Sequence, residues 1–594
     1  MTPPLGSMID SPLISELGRW AKEIPHERAF SFVDYGRDTQ GRRTDISWSE
    51  LDGRVRGVAA ALRRTGDSGQ RVAIVAPQSL EYIVGFLGAM YAGMVSVPLF
   101  TPDLPGHRER LTAILRDADA DCVLTTAALR SRVRELLNQS TAQRHQDIVV
   151  MDSIDPAPDW EPEKVRPSDP AYLQYTSGST RIPAGAVITH GNLAANARQI
   201  WAAGAGTPRS SVQVMWLPLF HDMGLVSTIG LPLVHGNSAV LMDPLAFVMR
   251  PVRWLQLLSA EQGDTFTAGP NFAYEMLVDR VSEKEKIGLD LSRVKVFMNG
   301  AEPVRPKTLK HFQKAFQQCG LRSSAPCAAY GLAEATVYVS AGSADAPPTI
   351  RHFDALALAE GVARPCDREA PEATALVACG APIGQTVAVV DPRTHYRQPA
   401  RHIGEIWVHG PNVADGYWGR SKETASTFEA RLNSGTDAST PHGPWLRTGD
   451  LGFWYAGELY VTGRIKDLII IDGRNHYPQD IEYTAQDAHP GIRPEHVAAF
   501  AVDNRGTESA VILAERNRRI PLQHCDPQAI EQAVRTAVHQ HHGLVLWDFV
   551  LVEPGGITRT SSGKLARAAC RASYLAADVR TTIDRLALKQ GAEQ

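Results

Sequence analysis

The sequence predicts an α/β protein with a large N-terminal domain of mostly parallel sheets and helices, followed by a small C-terminal α+β domain. Three observations lead to this class. The chain has 594 residues, which is too long for one hydrophobic core. Apolar strand-like runs alternate with helical patterns over most of its length, which is typical of parallel sheets covered by helices. Beyond Gly404 short strand patterns take over, and a compact α+β run begins after Gly473.

The alternation is clearest in the first 320 residues. Strands are predicted at 71–76, 147–151, 239–242 and 294–298, and helices at 51–64 and 306–319. Residues 82–100 carry no charge over a length close to that of a membrane span. A small-residue helix followed by a β-branched strand explains this segment better, so we expect it in the core and expect no transmembrane span.

The C-terminal part has its own order of elements. We predict a helix that opens at Tyr477-Pro478, because proline favours the first helical position. Strands are predicted at 496–502, 509–515 and 546–553, with a helix at 527–541. These patterns predict a large domain at 1–465 and a small domain at 466–594. The hinge is placed between Gly463 and Asp467, at Lys466.

Composition excludes several classes of protein. The hydrophobic fraction is 43%, the net charge is −4 and the pI is about 6.6, so no global field attracts nucleic acid or an anionic membrane. Any phosphate site must be built locally. Seven cysteines without a C-x-x-C pair indicate reduced thiols, and the first residues lack a secretory pattern, so we expect a cytoplasmic protein.

One segment is rich in hydroxyls and glycines. It contains Thr176, Ser177, Gly178, Ser179 and Thr180, which together offer side-chain donors and accessible backbone N–H groups suited to a phosphate chain. The Walker pattern G-x-x-x-x-G-K-[ST] is absent. Taken alone, the segment could equally be a flexible linker.

Seven motifs in order resolve this ambiguity, because together they resemble the adenylate-forming superfamily of acyl ligases, luciferases and peptide-synthetase adenylation domains. One such motif is weak, but seven in the superfamily's order are specific. The motifs are TSGST at 176–180, WLPLFHDMGL at 216–225, NGAEP at 299–303, YGLAEAT at 330–336, WLRTGDLG at 445–452, GRIKD at 463–467 and TSSGK at 560–564.

The resemblance implies that ATP is a substrate and that Mg²⁺ is the metal. It also implies that the small domain is mobile. The residues implied to bind ATP are Thr176, Ser177, Gly178, Ser179 and Thr180 at the phosphates, Gly300, Ala301, Glu302, Tyr330, Gly331 and Leu332 around adenine, Asp450 and Arg464 at the ribose, and Lys564.

Three of the implied residues carry the chemistry. Glu334 is the implied Mg²⁺ ligand and His221 lies near the acyl carboxylate, although an isolated glutamate is often a surface charge and His221 could be a packing residue. Lys564 is the implied catalytic residue, since an ammonium on a glycine loop matches the charge that gathers on the α-phosphate. A lone lysine in such a loop would otherwise be solvated.

Finer details resemble one branch, the fatty acyl-AMP ligases. STRIPAG at 179–185 lacks the usual phosphate-loop lysine, and GLAEATVYVS at 331–340 and GRNHYPQDIE at 473–482 also match the branch. Residues 350–375 resemble its insertion, which is thought to restrain the small domain and disfavour free coenzyme A. A tolerated surface insertion is the other reading. Ala333 and Arg559 depart from the superfamily, where threonine and lysine are frequent.

The resemblance therefore implies a two-step reaction. A fatty acid and ATP give acyl-AMP and pyrophosphate, and the acyl group passes to the phosphopantetheine arm of an acyl carrier protein of a polyketide synthase. An acyl-CoA ligase and a catalytically silent adenylate-binding protein remain alternatives. Retention of both Glu334 and Lys564 weighs against a silent protein, because binding alone needs no charge on a swinging loop.

Overall fold

A computed structural model describes residues 11–103, 108–139, 146–175, 183–370, 372–433, 441–471, 474–504, 507–521, 525–560 and 563–576. The predicted phosphate-binding residues Thr176, Ser177, Gly178, Ser179 and Thr180 lie outside the described residues.

The described strands before residue 465 form three main sheets and one two-stranded pair. Their bounds are β1 Arg28–Asp34, β2 Arg42–Ser47, β3 Arg71–Val75, β4 Val95–Leu99, β5 Cys122–Thr125, β6 Asp147–Val150, β7 Pro170–Tyr175, β8 Gly185–Thr189, β9 Val212–Met215, β10 Ser238–Met242, β11 Thr265–Gly269, β12 Val294–Asn299, β13 Pro326–Tyr330, β14 Ser340–Ala341, β15 Ile350–Asp354, β16 Ala373–Val377, β17 Thr386–Val390, β18 Gly404–His409, β19 Leu446–Tyr455 and β20 Glu458–Arg464.

Helices connect these strands and cover the sheets. Their bounds are α1 Ser15–Glu23, α2 Trp48–Thr65, α3 Leu80–Tyr91, α4 Arg108–Asp117, α5 Arg130–Gln139, α6 His190–Gly204, α7 Asp222–Leu225, α8 Leu231–His235, α9 Pro244–Met249, α10 Val252–Ala260, α11 Asn271–Arg280, α12 Glu283–Lys286, α13 Pro306–Phe316, α14 Ala355–Ala359 and α15 Ser421–Phe428.

Two sheets are mostly parallel, as the alternation predicts. The first has the strand order β6-β5-β3-β4-β7-β8 and is parallel except for β8. The second has the order β14-β13-β12-β11-β9-β10-β1-β2 and is parallel except for its two edge strands. Helices α2 and α3 pack on each other within one large hydrophobic core that includes residues of both sheets.

The uncharged stretch 82–100 belongs to this core. It forms most of α3 and all of β4, and Tyr82 and Phe86 are almost fully buried. The ring of Phe86 meets Tyr172 of β7 edge to face at 5.6 Å. In the part of the chain that the structure describes, no helix has both the length and the apolarity needed to cross a bilayer.

The third sheet is antiparallel and contains the short strands that begin at Gly404, together with β17, which precedes them. Its order is β17-β18-β19-β20. The segment 350–375 is more ordered than a loop, because β15 pairs with β16 in antiparallel register and α14 lies between them. The sequence missed this hairpin, since its strands are short and largely half-buried, which weakens the alternation of apolar and polar residues.

The C-terminal elements agree closely with the predicted order. Pro478 stands in the first turn of its helix, as expected. The three long strands form one sheet in the order β23-β24-β25, with β24 and β25 parallel. The elements are β21 Ile469–Ile471, β22 Arg474–His476, α16 Pro478–Ala488, β23 Ile492–Asn504, β24 Thr507–Arg516, α17 Pro527–His542, β25 Leu546–Val552 and α18 Arg567–Leu575.

A buried carboxylate ties the C-terminal sheet to the segment that follows it. Glu515, at the end of β24, accepts hydrogen bonds from the backbone N–H groups of Gly555 and Ile557 at 2.9 and 3.1 Å. Its other oxygen pairs with Arg493 of β23 at 2.6 Å. Glu515 thereby fixes the start of the segment that leads to Lys564.

All seven cysteines, each within a described stretch, are free.

Replacing Glu515 with alanine should destabilise the C-terminal part of the chain. Two N–H groups and one guanidinium lose their acceptor, which should lower the free energy of unfolding by about 2–5 kcal/mol in a denaturant titration. Glu531→Ala is the matched control, because the Glu531–Arg535 pair lies on the surface of α17 and should contribute less than about 1 kcal/mol. Equal effects of the two substitutions would contradict the anchoring role.

Candidate active site

A cavity of about 1970 Å³ lies where the parallel sheets meet the C-terminal elements. Residues at the carboxyl ends of β7, β12 and β13 line one side, which is the edge where α/β sheets usually bind ligands. Every described member of the predicted site contributes to the lining: His221, Gly300, Ala301, Glu302, Tyr330, Gly331, Leu332, Glu334, Asp450, Arg464, Lys466 and Lys564.

Asp450 is the most enclosed carboxylate of the predicted set, with 5% of its surface exposed. The hydroxyl of Tyr330 donates to its Oδ2 at 2.8 Å, and Arg464 pairs with its Oδ1 at 3.0 Å. Asp450 and Arg464 are direct partners in the β19–β20 register, which explains why two distant motifs meet. Burial and the Asp450 charge hold the pKa of Tyr330 well above its usual value.

The turn that carries Asp450 is held by a residue that the sequence analysis missed. Glu405, buried in β18, accepts the backbone N–H of Gly449 at 3.1 Å with Oε1. Its Oε2 accepts from the indole of Trp407 at 2.9 Å and pairs with Arg447 at 2.8 Å. A glutamate within an apolar strand pattern could have indicated this role, because unpaired carboxylates are rarely buried.

Glu334 lies in a short 3₁₀ turn directly after the carboxyl end of β13. Its Oε1 accepts the hydroxyl of Tyr417 at 2.7 Å, and its backbone oxygen accepts the N–H of Ala414 at 2.9 Å. The sequence analysis did not identify Tyr417. Among the described residues, no group of three or more His, Cys, Asp or Glu side chains is placed to hold a metal ion.

His221 and Asp222 form a close pair at the start of α7. His221 Nδ1 lies 2.6 Å from Asp222 Oδ1, and the backbone N–H of Met223 donates to the same oxygen at 2.7 Å. Burial opposes ionisation of Asp222, but His221 and Lys564 outweigh it and lower the pKa of Asp222 to about 2. The carboxylate is therefore charged at neutral pH.

The segment from Gly300 to Glu302 approaches the cavity in an unusual backbone conformation. Ala301 has a φ of +72°, a conformation that non-glycine residues seldom adopt. Glu302 Oε1 accepts the backbone N–H of Asn271 at 3.1 Å. A Cβ on Gly331 would lie 1.6 Å from the oxygen of Val337, so only glycine fits at that position.

Lys564 reaches the cavity on a tight turn of the C-terminal part. The backbone N–H of Lys564 donates to Thr560 Oγ1 at 3.1 Å, and Thr560 N–H donates to the oxygen of Lys564 at 2.8 Å. Gly563 has a φ of +81° and lies against the ring of Phe272 on the opposite side of the cavity.

The charges around the Lys564 ammonium come from several elements. Burial lowers the pKa of Lys564, whereas the carboxylates of Asp222, Glu302 and Asp450 favour its charged form. The arrangement thus offers an ammonium, an arginine and several carboxylates around one space. It suits a ligand that carries both an anionic group and hydroxyl groups.

The predicted hinge residue Lys466 lies in a 3₁₀ turn at Ile465–Asp467, between β20 and β21. Asp467 pairs with Arg567 at 3.3 Å, and Arg567 also binds both oxygens of Glu482 at 2.7 Å. The role of Lys466 as a hinge remains a prediction.

Known families and proteins match most of this chain. The model of the AMP-binding enzyme family matches residues 17–418, and a model of the AMP domain of Disco-interacting protein 2-like proteins matches residues 466–583. Long-chain-fatty-acid–AMP ligase FadD26 of Mycobacterium marinum is 42% identical over 581 residues, which cover 95% of this chain and 97% of that protein.

Solved structures give the same result. One structure of the fatty acyl-adenylate ligases of E. coli and L. pneumophila aligns with a TM-score of 0.84 and 30% identity, covering 96% of this chain and 98% of the other. A fatty acyl-adenylate ligase of L. pneumophila in complex with acyl adenylate and pyrophosphate aligns with a TM-score of 0.72 and 30% identity, covering 98% of both chains.

Glu405→Ala tests whether this carboxylate supports the Asp450 turn. The substitution leaves Arg447 and the Gly449 N–H without their acceptor, so the free energy of unfolding should fall by about 3 kcal/mol in a denaturant titration. The exposed Glu429, just after α15, is a matched control whose replacement by alanine should change it by less than about 0.5 kcal/mol. A Glu405→Ala protein as stable as the control would show that the turn does not depend on Glu405.

Proposed function

This chain belongs to the AMP-binding enzyme family, and from that premise we propose that it is a fatty acyl-AMP ligase. It joins a fatty acid to AMP and releases pyrophosphate from ATP. The single observation that carries the proposal is the meeting of Lys564 with Asp222, Glu302 and Asp450 in one cavity of a chain that is similar to such a ligase over 95% of its length.

The residues around the cavity suit the binding of ATP. Asp450 can accept two hydrogen bonds from the ribose diol, with Arg464 beside it and Tyr330 holding it in place. The backbone of Gly300, Ala301 and Glu302 and that of Gly331 and Leu332 then flank the adenine. Thr176, Ser177, Gly178, Ser179 and Thr180 remain our proposal for the β- and γ-phosphates.

Glu334 fits Mg²⁺, which prefers one or two carboxylates together with phosphate oxygens and water. One of its oxygens is held by Tyr417, and this contact fixes the direction of the carboxylate. The bound ion would supply positive charge at the phosphate oxygens.

Lys564 is the catalytic group of the proposed first step. A carboxylate oxygen of the fatty acid attacks the α-phosphorus, the bond from that phosphorus to the bridging oxygen breaks, and pyrophosphate leaves. Negative charge gathers on the α-phosphate oxygens during the attack, and the ammonium stabilises it. We propose that His221 lies near the acyl carboxylate, where its contact with Asp222 orients the ring.

The second step transfers the acyl group to a thiol. The proposed acceptor is the phosphopantetheine arm of an acyl carrier protein of a polyketide synthase, whose sulfur attacks the acyl carbonyl while AMP leaves. Long-chain fatty acids are the proposed substrates, since the relative from M. marinum is a long-chain-fatty-acid–AMP ligase. The free cysteines support a cytoplasmic location.

The segment 350–375 favours a carrier protein over free coenzyme A. Its helix α14 contacts β22 of the proposed small domain 466–594. Such a contact would restrain rotation of that domain about Lys466 towards a thiol-transfer orientation. A bias of about 2.7 kcal/mol would reduce the population of that orientation roughly a hundredfold.

The direct test is an assay with radiolabelled fatty acid and ATP, with and without coenzyme A. The expected product is acyl-AMP in both cases, with little acyl-CoA. Acyl-CoA formed as fast as acyl-AMP would identify an acyl-CoA ligase, and no adenylate at all would identify a silent adenylate-binding protein.

Lys564→Ala should abolish acyl-AMP formation while ATP still binds. Loss of the ammonium should lower the rate by about 100-fold or more, measured as pyrophosphate release. Lys422→Ala on the exposed surface of α15 is the control and should retain full activity. A Lys564→Ala rate within a few-fold of the unmodified enzyme would exclude this lysine as the catalytic group.

Removal of α14 should raise acyl-CoA formation and leave adenylation intact. Because Asp354 and Ala373 face each other in the β15–β16 register, a short Gly-Ser turn can join them without disturbing the strands. The half-exposed Leu356 of α14 offers a milder variant, Leu356→Asp. If both variants keep their adenylation rate and still make no acyl-CoA, the segment is not the restraint.

A further inference from the structure

A continuous set of contacts runs from the large sheets to the loop of Lys564. It begins at Arg305, which immediately precedes α13 and follows the Gly300–Glu302 segment by a few residues. It passes through Glu495 in β23 and ends at Arg559, five residues before Lys564. The proposed function gives none of these three residues a role.

Arg305 makes the first contact. Its guanidinium forms an ion pair with the Glu495 carboxylate and lies 4.1 Å from the centre of the Tyr483 ring in α16. Both charged side chains are more than four-fifths buried. Burial opposes the charge of Arg305, but Tyr483 and Glu495 outweigh it and raise the pKa of Arg305. A paired charge at this depth is costly to break.

The backbone conformation of Glu495 lets this residue contact both arginines. Its φ is +65°, within the irregular part of β23 where the register with β24 shifts between Ile492 and Val497. The side-chain oxygen of Gln486 accepts its backbone N–H at 2.7 Å. The Glu495 carboxylate therefore binds Arg305, and the Glu495 backbone oxygen accepts a hydrogen bond from Arg559.

Arg559 makes the last contact with two separate nitrogens. One N–H group donates to the backbone oxygen of Glu495, and another donates to the backbone oxygen of Gly563 at 2.6 Å. Gly563 directly precedes Lys564. A planar guanidinium can span two carbonyls, whereas a single ammonium on a lysine has no such fixed geometry. The departure from lysine at this position thus has a structural consequence.

We infer that Arg305, Glu495 and Arg559 form a positioning relay that holds the Lys564 loop in the cavity for the adenylation step. The relay rests on the proposed function. It joins the side of the cavity formed by the large sheets to the loop on the other side, so the ammonium is aimed only while the C-terminal part is docked. The thiol-transfer step does not need Lys564 in this place, so it does not depend on the relay.

The same interface offers an internal control. Lys307 pairs with Asp487 at 3.0 Å, but both side chains are more than half exposed, with 60% and 58% of their surfaces accessible. Exposed pairs of this kind contribute little. Lys307→Gln removes a charge two residues from Arg305 and should leave the rate of adenylation unchanged.

The test compares Arg305→Gln, Arg559→Lys and Lys307→Gln in the full-length enzyme. Pyrophosphate release gives kcat and KM, and transfer from synthetic acyl-AMP to a phosphopantetheine-bearing acyl carrier protein gives the second step. We expect Arg305→Gln and Arg559→Lys to lower kcat for adenylation by about tenfold to 100-fold, with KM for ATP within about twofold. Acylation of the carrier protein should keep the rate of the unmodified enzyme.

A charge exchange separates positioning from general damage. The double variant Arg305→Glu/Glu495→Arg should recover part of the kcat that Arg305→Gln loses. An unchanged kcat in Arg305→Gln, or parallel losses of adenylation and carrier-protein acylation, would overturn the relay. Failure of the unmodified enzyme to make acyl-AMP would instead overturn the proposed function.

Discussion

The placement of one ammonium group governs the arrangement of this active site. Burial lowers the pKa of Lys564, and the carboxylates that face it favour its charged form. Asp222, Glu302 and Asp450 supply them from the start of α7, the loop after β12 and strand β19. The parallel sheets bring two of these positions to one edge, and the antiparallel sheet adds the third. The C-terminal part completes the site, because it carries Lys564.

The carboxylates themselves depend on buried partners. Asp450 is fixed by Tyr330 and Arg464, and its turn is fixed by Glu405. Because these contacts exist before any ligand enters, little reorganisation is needed when charge develops on a substrate. The same principle applies to Glu334, whose direction is set by Tyr417. The carboxylates are thus rigidly supported. Lys564, in contrast, follows Gly563, a glycine with a positive φ in a tight turn.

The sequence predicted the layers of the fold well, and it predicted the supports of the site poorly. Continuous apolar runs such as 71–76 reveal buried parallel strands, and Pro478 marks a helix start, because both signals are local. The motifs identified the residues that line the cavity. Glu405 and Tyr417 escaped notice because their roles depend on strand register and on contacts between distant segments, which periodicity does not report. Arg559 was noticed only as a departure, and its two carbonyl partners became visible in three dimensions.

The most direct measurement of the central claim follows oxygen from the fatty acid into the nucleotide. A fatty acid labelled with ¹⁸O in both carboxylate positions is incubated with the enzyme, ATP and a thiol acceptor, and the AMP is analysed by mass spectrometry. Attack of the carboxylate on the α-phosphorus predicts one ¹⁸O atom in AMP and none in pyrophosphate. Unlabelled AMP, or label in inorganic phosphate, would contradict acyl-AMP formation and the role given to Lys564.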